Sequence, residues 1–298
     1  MLENQARRGS LLVVAAAILW GTTGTAQALA PEGAQPILIG TLRLVIGGAA
    51  LLIIALARGI RFHLRTWPLK PTLLTGLTIA TYQLCFFGGV ARTGVAVGTI
   101  VGIGSAPIMA GFLAWWLNRE KPGPRWLAAT LLAIVGCGLL VAPGQDARVD
   151  AVGVILALGA GLSYALYTLF SKRLLAHYPP DAVMAVVFCL GALLLAPTLL
   201  LTDLDWLAEP RSLVVILHLG LVATALAYVL FARGLSRVLT ATAVTLSLAE
   251  PLTAGILGVW VVGERLSALA IVGIGLLVAG LGLLTFPFPN ILKPRFVP

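Results

Sequence analysis

Residues 239–265 read LTATAVTLSLAEPLTAGILGVWVVGER. The run is long enough to cross a bilayer, whose hydrocarbon core of roughly 30 Å takes about 20 helical residues at a rise of about 1.5 Å each. Glu250 then falls near the midplane, with Pro251 beside it. A carboxylate at that depth is costly unless it faces a watery cavity, meets a cation or takes a proton, which makes Glu250 the first candidate site residue. Pro251 has no N–H for the carbonyl of Ser247, so a loosened helix is predicted beside the acid. The stretch has a double. Counting 144 residues back, residues 93–121 read TGVAVGTIVGIGSAPIMAGFLAWWLNREK, with Pro107 opposite Pro251, Trp116 opposite Trp260 and Glu120 opposite Glu264. From Pro107 to Glu120, six of fourteen positions are identical without a gap.

Composition agrees with a membrane protein. Hydrophobic residues make up 59% of the chain and charged residues 10%, with a mean hydropathy of +1.02; soluble domains carry about 45–50% apolar residues. The apolar runs are continuous and about 20 residues long, the signature of helices and not of alternating barrel strands. A net charge of +9 would suggest nucleic acid in a soluble protein. Here the basic residues collect in short loops, where they orient the chain and meet anionic lipid, so no nucleic-acid partner is expected. Cys85, Cys137 and Cys189 fall inside apolar runs and are read as core hydrophobes. Residues 10–30 imitate a secretory signal, but Pro31 at the would-be cleaved bond favours a first membrane helix.

Ten spans are predicted, over residues 10–30, 36–57, 71–91, 94–117, 124–142, 151–171, 180–201, 211–232, 238–262 and 267–286. With the N-terminus inside, 15 of the 20 Lys and Arg residues lie in cytoplasmic segments. Arg92, Arg148, Arg211 and Arg265 lie on the other side, and Arg43 sits within a span. That bias places both termini in the cytoplasm. The repeat extends further at the same offset: Gly136, Gly138 and Pro143 match Gly280, Gly282 and Pro287, and Trp20 stands opposite Tyr164. We therefore expect an all-α membrane protein of two five-helix repeats, residues 1–147 and 148–298. Five is odd, so the second repeat enters the membrane from the opposite side, giving an inverted pair around a central cavity. Exchange of conformations between such halves turns a cavity open to one side into one open to the other.

The doubled Pro-to-Glu block, the Trp20-Gly21 pair and Arg43 in the second span together resemble the EamA family of the drug/metabolite transporter superfamily. The resemblance covers nearly the whole chain. It implies a ten-helix carrier of the inner membrane, a cavity lined by the first, third and fourth spans of each half, and export of small metabolites. The superfamily includes amino-acid exporters similar to YddG as well as carriers of nucleotide sugars, triose phosphates and drugs. Amino-acid export by alternating access is the reading we favour, with export of drugs or cationic amphiphiles, or nucleotide-sugar transport, as alternatives. Glu250 departs from the repeat, since Ala106 stands where an acid would be.

The candidate substrate-binding residues are Trp20, Thr78, Tyr82, Gln83, Ser163, Tyr164, Tyr167, Tyr228 and Glu250. Glu250 would hold a substrate ammonium or exchange a proton, the alternative being a structural carboxyl paired with Arg43. Arg43 suits a substrate carboxylate, snorkelling outward, or pairing with Glu250 or Glu264. The aromatic residues sit in span interiors, away from the interfacial belts where Trp and Tyr anchor. Thr75, Thr78 and Tyr82 share a helical face, as do Ser163, Tyr167 and Ser171, and Thr224 and Tyr228. Such faces line an aromatic-walled cavity that takes cationic groups, or else bond helix to helix. Pro107, Pro251, Arg43 and His218 are assigned structural or coupling roles, His218 as a satisfied core histidine or a proton relay. No HExxH, GxSxG or phosphate-binding Gly-Lys-Ser/Thr motif occurs, so no enzyme activity, cofactor or metal is expected. The expected partners are a small-molecule substrate, the lipid bilayer and a proton, with the chain a monomer. A channel or an intramembrane enzyme is the competing class; a channel needs rings of like groups, which one midplane acid does not supply.

Overall fold

The computed structural model describes residues 2–62, 67–141, 150–200, 204–262 and 267–286. His63, Arg65, Pro143, Arg148, Glu264, Arg265, Pro287, Lys293 and Arg295 lie outside the described residues. Among the described residues all regular structure is helical. The helices are α1 (Leu2–Ala28), α2 (Pro36–Ala57), α3 (Leu69–Gly94), α4 (Val97–Asn118), α5 (Pro124–Val141), α6 (Ala151–Leu175), α7 (Pro180–Leu200), α8 (Pro210–Leu235), α9 (Thr240–Val261) and α10 (Ala268–Thr285). Nine of these are long and apolar enough to cross a membrane, and α5 is a slightly shorter apolar helix.

Local chemistry sets their starts. Pro36, Pro180 and Pro210 each open a helix, where a missing N–H costs nothing. Asp150 and Ser267 cap α6 and α10 by accepting the N–H groups of Gly153 and Ala270. The Asp150 carboxyl is held below the usual carboxylate range, first by the Gly153 N–H. Between α3 and α4 the predicted loop nearly vanishes. Only Gly94 leaves helical geometry, at φ 81° and ψ 164°, a conformation closed to side-chain-bearing residues.

The packing establishes the inversion. α2 and its repeat counterpart α7 run antiparallel: Thr41 meets Thr198 at 2.8 Å, while Arg58 meets Asp181 at 2.5 Å. α5 and α10 also run antiparallel, and Gly136 and Gly273 face each other so closely that a Cβ on Gly136 would lie 2.7 Å from the Gly273 carbonyl. Small residues there let backbones approach where lipid offers no hydrophobic drive. α1 packs on α8 and α9, and α6 packs on α3 and α4. Every helix thus contacts the partner that its counterpart's contacts require, the pattern of a two-fold axis lying in the membrane plane. Trp115, Trp116 and Trp260 are exposed near helix ends, as interfacial residues are.

Candidate functional site

A cavity of about 60 Å³ lies between the halves, room for a few waters. Its wall is built from six of the helices of the two halves and from α2. Trp20, Thr23 and Gln27 come from α1, Arg43 from α2, and Tyr82, Gln83, Phe86 and Phe87 from α3. The α4 backbone at Gly102 adds a smooth patch, and Tyr164, Tyr228, Ser247 and Glu250 complete the wall from α6, α8 and α9. First, third and fourth helices of both repeats therefore meet here, as the resemblance implied.

The aromatic residues form one connected cluster. Trp20 packs on Tyr228 with ring centroids 4.8 Å apart and edge-on to Tyr164 at 6.4 Å, and Tyr82 lies 5.7 Å from Tyr164. Ring faces around a hollow that also holds a carboxylate attract a cationic group. The Tyr164 hydroxyl is engaged with Ser247 Oγ at 2.8 Å. Gln83 is buried and donates from Nε2 to the Gly40 carbonyl at 3.3 Å. Trp20, only 4% exposed, has no partner for its indole N–H among the described residues, and neither does the Thr23 hydroxyl.

Arg43 and Glu250 face the same cavity from different halves without forming an ion pair within 4.0 Å, among the described residues. Their pairing, one of the alternatives raised by the sequence, is thus replaced by another arrangement. Arg43 Nε donates to Thr224 Oγ1 at 3.2 Å and Nη2 to the Ala223 carbonyl at 3.5 Å. Helix α8 makes this possible by widening to a π stretch over His218–Leu226. The Ala227 N–H goes to the carbonyls of Val222 and Thr224, passing over Ala223, whose carbonyl takes the guanidinium. Stretches of this kind occur often at functional sites.

Pro251 acts as expected, with one refinement. Helix α9 breaks at Ser247 and Leu248, and the Ser247 carbonyl left without its usual partner accepts the Glu250 N–H at 2.9 Å. That tighter turn sets the acid at a bend. Pro107, in contrast, sits within unbroken helix. His218 is half-buried and its Nε2 meets Thr22 Oγ1 at 2.8 Å. The Thr22 hydroxyl donates to Leu19, which leaves it to accept from the ring. His218 is not on the cavity wall.

Three expected site residues stand elsewhere. The Thr78 hydroxyl donates to the Thr75 carbonyl of its own helix at 2.9 Å, so the face shared with Tyr82 does not extend to the wall. Ser163 is 7% exposed and off the wall. Tyr167 is fully buried in the main core, its hydroxyl on the Met184 sulfur at 3.4 Å. Thr23 and Gln27 were missed, although with Trp20 they make a stripe at positions i, i+3 and i+7 of one helix. Asp181 was missed as well. It is 7% exposed at the start of α7 and binds Arg58, just past the end of α2, at 2.5 Å and Arg233 of α8 at 3.1 Å. Its signal was a lone acid immediately after Pro179-Pro180.

Comparison with known proteins fits this architecture. The model of the EamA-like transporter family matches residues 7–142 and again residues 151–286. An uncharacterized transporter of Bacillus subtilis (strain 168), YwfM, is 49% identical over 91% of this chain and 92% of its own length. The threonine/homoserine exporter RhtA of Escherichia coli (strain K12) is 29% identical over 90% of this chain and 88% of its own. A crystal structure 21% identical in sequence superposes with a TM-score of 0.82, covering 93% of this chain and 96% of that one, and shares the fold. With two successive matches that span nearly all of its length, the chain belongs to the EamA-like transporter family and is a multi-pass membrane transporter.

Proposed function

We propose that this transporter is a secondary carrier that exports amino acids by alternating access, its units residues 1–147 and 148–298 and both termini cytoplasmic. The observation that carries this reading is the placement of Arg43 and Glu250 on one aromatic-walled cavity between the halves, each contributed by a different half. A zwitterion has the complementary pair of charges. Its carboxylate suits the guanidinium, a planar donor fork. Its ammonium suits the Glu250 carboxylate and the faces of Trp20, Tyr82 and Tyr228. The likeness to an exporter of threonine and homoserine supports the same substrate class.

A carrier exposes such a cavity to one side at a time by moving its halves, whereas a channel holds a continuous path. The chain works as a monomer, since the cavity is complete within it. Glu250 is the group through which a proton would be exchanged. Thr78, Ser163 and Tyr167 lie off the wall in this conformation and join the path only if the halves rearrange. The test is counterflow of labelled amino acids, sugars and quaternary amines into liposomes, with and without a proton gradient. Saturable exchange of amino acids is expected. Exchange confined to quaternary amines would favour cationic amphiphiles, and current beyond the rate of conformational cycling would replace the carrier by a channel.

A further inference from the structure

On the outer face of the first half, α4 and α5 leave an open groove of about 480 Å³ between them. Ile108, Phe112 and Trp115 line it from α4, and Leu127 and Leu131 from α5, each more than half exposed. The ring of Trp126 closes the cleft beneath, lying so near the Gly111 backbone that a Cβ there would overlap it. Its indole N–H donates to Thr245 Oγ1 of α9 at 3.1 Å, and Thr130 Oγ1 meets the same oxygen at 2.8 Å. The floor is therefore fixed from behind. From Ile108 to Trp115 the groove runs about 10 Å by helical rise and ends at the N-terminal end of the bundle, where the rings of Trp115 and Trp126 suit headgroup depth.

Charge gathers at that same end. Arg119 and Lys121 lie in the link between the two walls, Lys121 next to Pro122 of the groove, and Arg125 follows at the start of α5. Both link residues are exposed, and neither is in an ion pair among the described residues. Glu120 stands between them but does not neutralise them, because its carboxylate is engaged with the N–H and the hydroxyl of Thr240. The second repeat does not copy this arrangement. At the 144-residue offset Phe112, Trp115, Trp126 and Arg119 stand opposite Ile256, Val259, Ala270 and Gly263, and of these two link cations only Lys121 has a basic counterpart, Arg265. The aromatic, basic groove is thus an addition to one copy that the repeat itself does not require.

We propose that the groove between α4 and α5 is a binding site for one anionic phospholipid, with an acyl chain along Ile108, Phe112 and Leu131 and the phosphate at Arg119 and Lys121. An apolar hollow facing the bilayer takes an acyl chain, each buried methylene contributing to the affinity. Two cations at its mouth favour a headgroup of net negative charge, whereas a zwitterionic headgroup brings an ammonium to the same place. The site lies apart from the cavity between the halves and does not rest on the amino-acid reading.

Native mass spectrometry of the detergent-purified protein, titrated with dioleoyl phosphatidylglycerol or dioleoyl phosphatidylcholine, tests the site by counting bound lipids. The first phosphatidylglycerol is expected to bind about fivefold or more tightly than the first phosphatidylcholine, the preference that one basic residue near the headgroup supplies. Arg119→Gln combined with Lys121→Gln should erase that preference and leave phosphatidylcholine binding as it was. Ile108→Trp fills the groove without touching a charge and should weaken the first binding of both lipids about tenfold, the worth of roughly two buried methylenes. Leu131→Trp, on the facing wall, serves if Ile108→Trp does not fold. Equal affinity for the two lipids overturns the proposal. So does a first binding of phosphatidylglycerol that the groove-filling variants leave unchanged, which would assign the lipid to the basic surface at large. A dimer that takes up no lipid and separates on Ile108→Trp would seat a second copy of the chain in the groove, and overturns it as well.

Discussion

The two ends of the bundle are built from the same repeat, yet among the described residues their ion pairs differ. At the N-terminal end Asp181 bridges two arginines, and the Glu120 carboxylate takes the N–H and the hydroxyl of Thr240 at 2.7 Å each. The Lys172 ammonium there donates to the carbonyls of Leu235 and Val238. At the opposite end the ion pair between Arg92 and Asp150 spans 3.6 Å, with side chains 53% and 38% exposed. The cavity keeps an indole N–H and a hydroxyl, those of Trp20 and Thr23, without hydrogen-bond partners among the described residues. Duplication therefore gives two ends of similar construction, and side chains present in one copy only, such as Asp181, distinguish them.

The sharpest way to break the contrast is Glu250→Gln. It keeps the shape and removes the charge, so loss of a charge-assisted contact of about 1.5–3 kcal/mol should lower counterflow of amino acids about tenfold or more. The melting temperature should hold; undiminished transport would remove Glu250 from the site. At the N-terminal end Asp181→Ala is expected to lower stability by about 1–3 kcal/mol. The upper part of the usual range for a buried pair is not reached, because both arginines stay partly solvated. Thermal unfolding in detergent checks this, and an unchanged melt would mean the bridge holds nothing.

A smaller effect is expected from Thr22→Val, which deletes the contact to His218 and should destabilise by about 1 kcal/mol, the net worth of one hydrogen bond. Smallest of all is the Asp150 cap. Its carboxyl is depressed in the folded protein, so its stabilisation is present above the unfolded value of about 3.9 and is lost as the pH falls through the folded value. Melting should therefore be the same for the wild type and Asp150→Asn in the acid range below both values. A small difference should appear at neutral pH; a difference that grows on acidification would contradict the assignment.

The sequence made the architecture legible because hydropathy and a 144-residue offset are both linear signals. Pro107, Pro251 and Trp20 could be matched by counting. The cavity was partly legible for the same reason: Trp20, Tyr82, Gln83, Tyr164, Tyr228 and Glu250 are polar or amphipathic groups at span depth, where lipid would not hold them. Rotation about a helix axis was not legible. Thr78 and Tyr82 are one turn apart, yet one bonds to its own helix and the other reaches the hollow. Tyr167 shares a stripe with Tyr164, but Phe188 of α7 and Tyr228 and Phe231 of α8 pack around it, a tertiary contact that no local pattern announces. The Asp181 bridge joins residues 123 and 52 positions apart from Asp181, beyond any local pattern.

The pairing of the helices has one more consequence. The dense packing runs between the repeats: α1 lies on α8 and α9, α6 on α3 and α4, α2 on α7, and α5 on α10. Such interleaving predicts that each half depends on the other to fold. The chain is built like an intertwined dimer whose subunits were fused end to end. Cut within residues 142–149 and co-expressed, the two fragments should reassemble in the bilayer, while either one alone should be degraded.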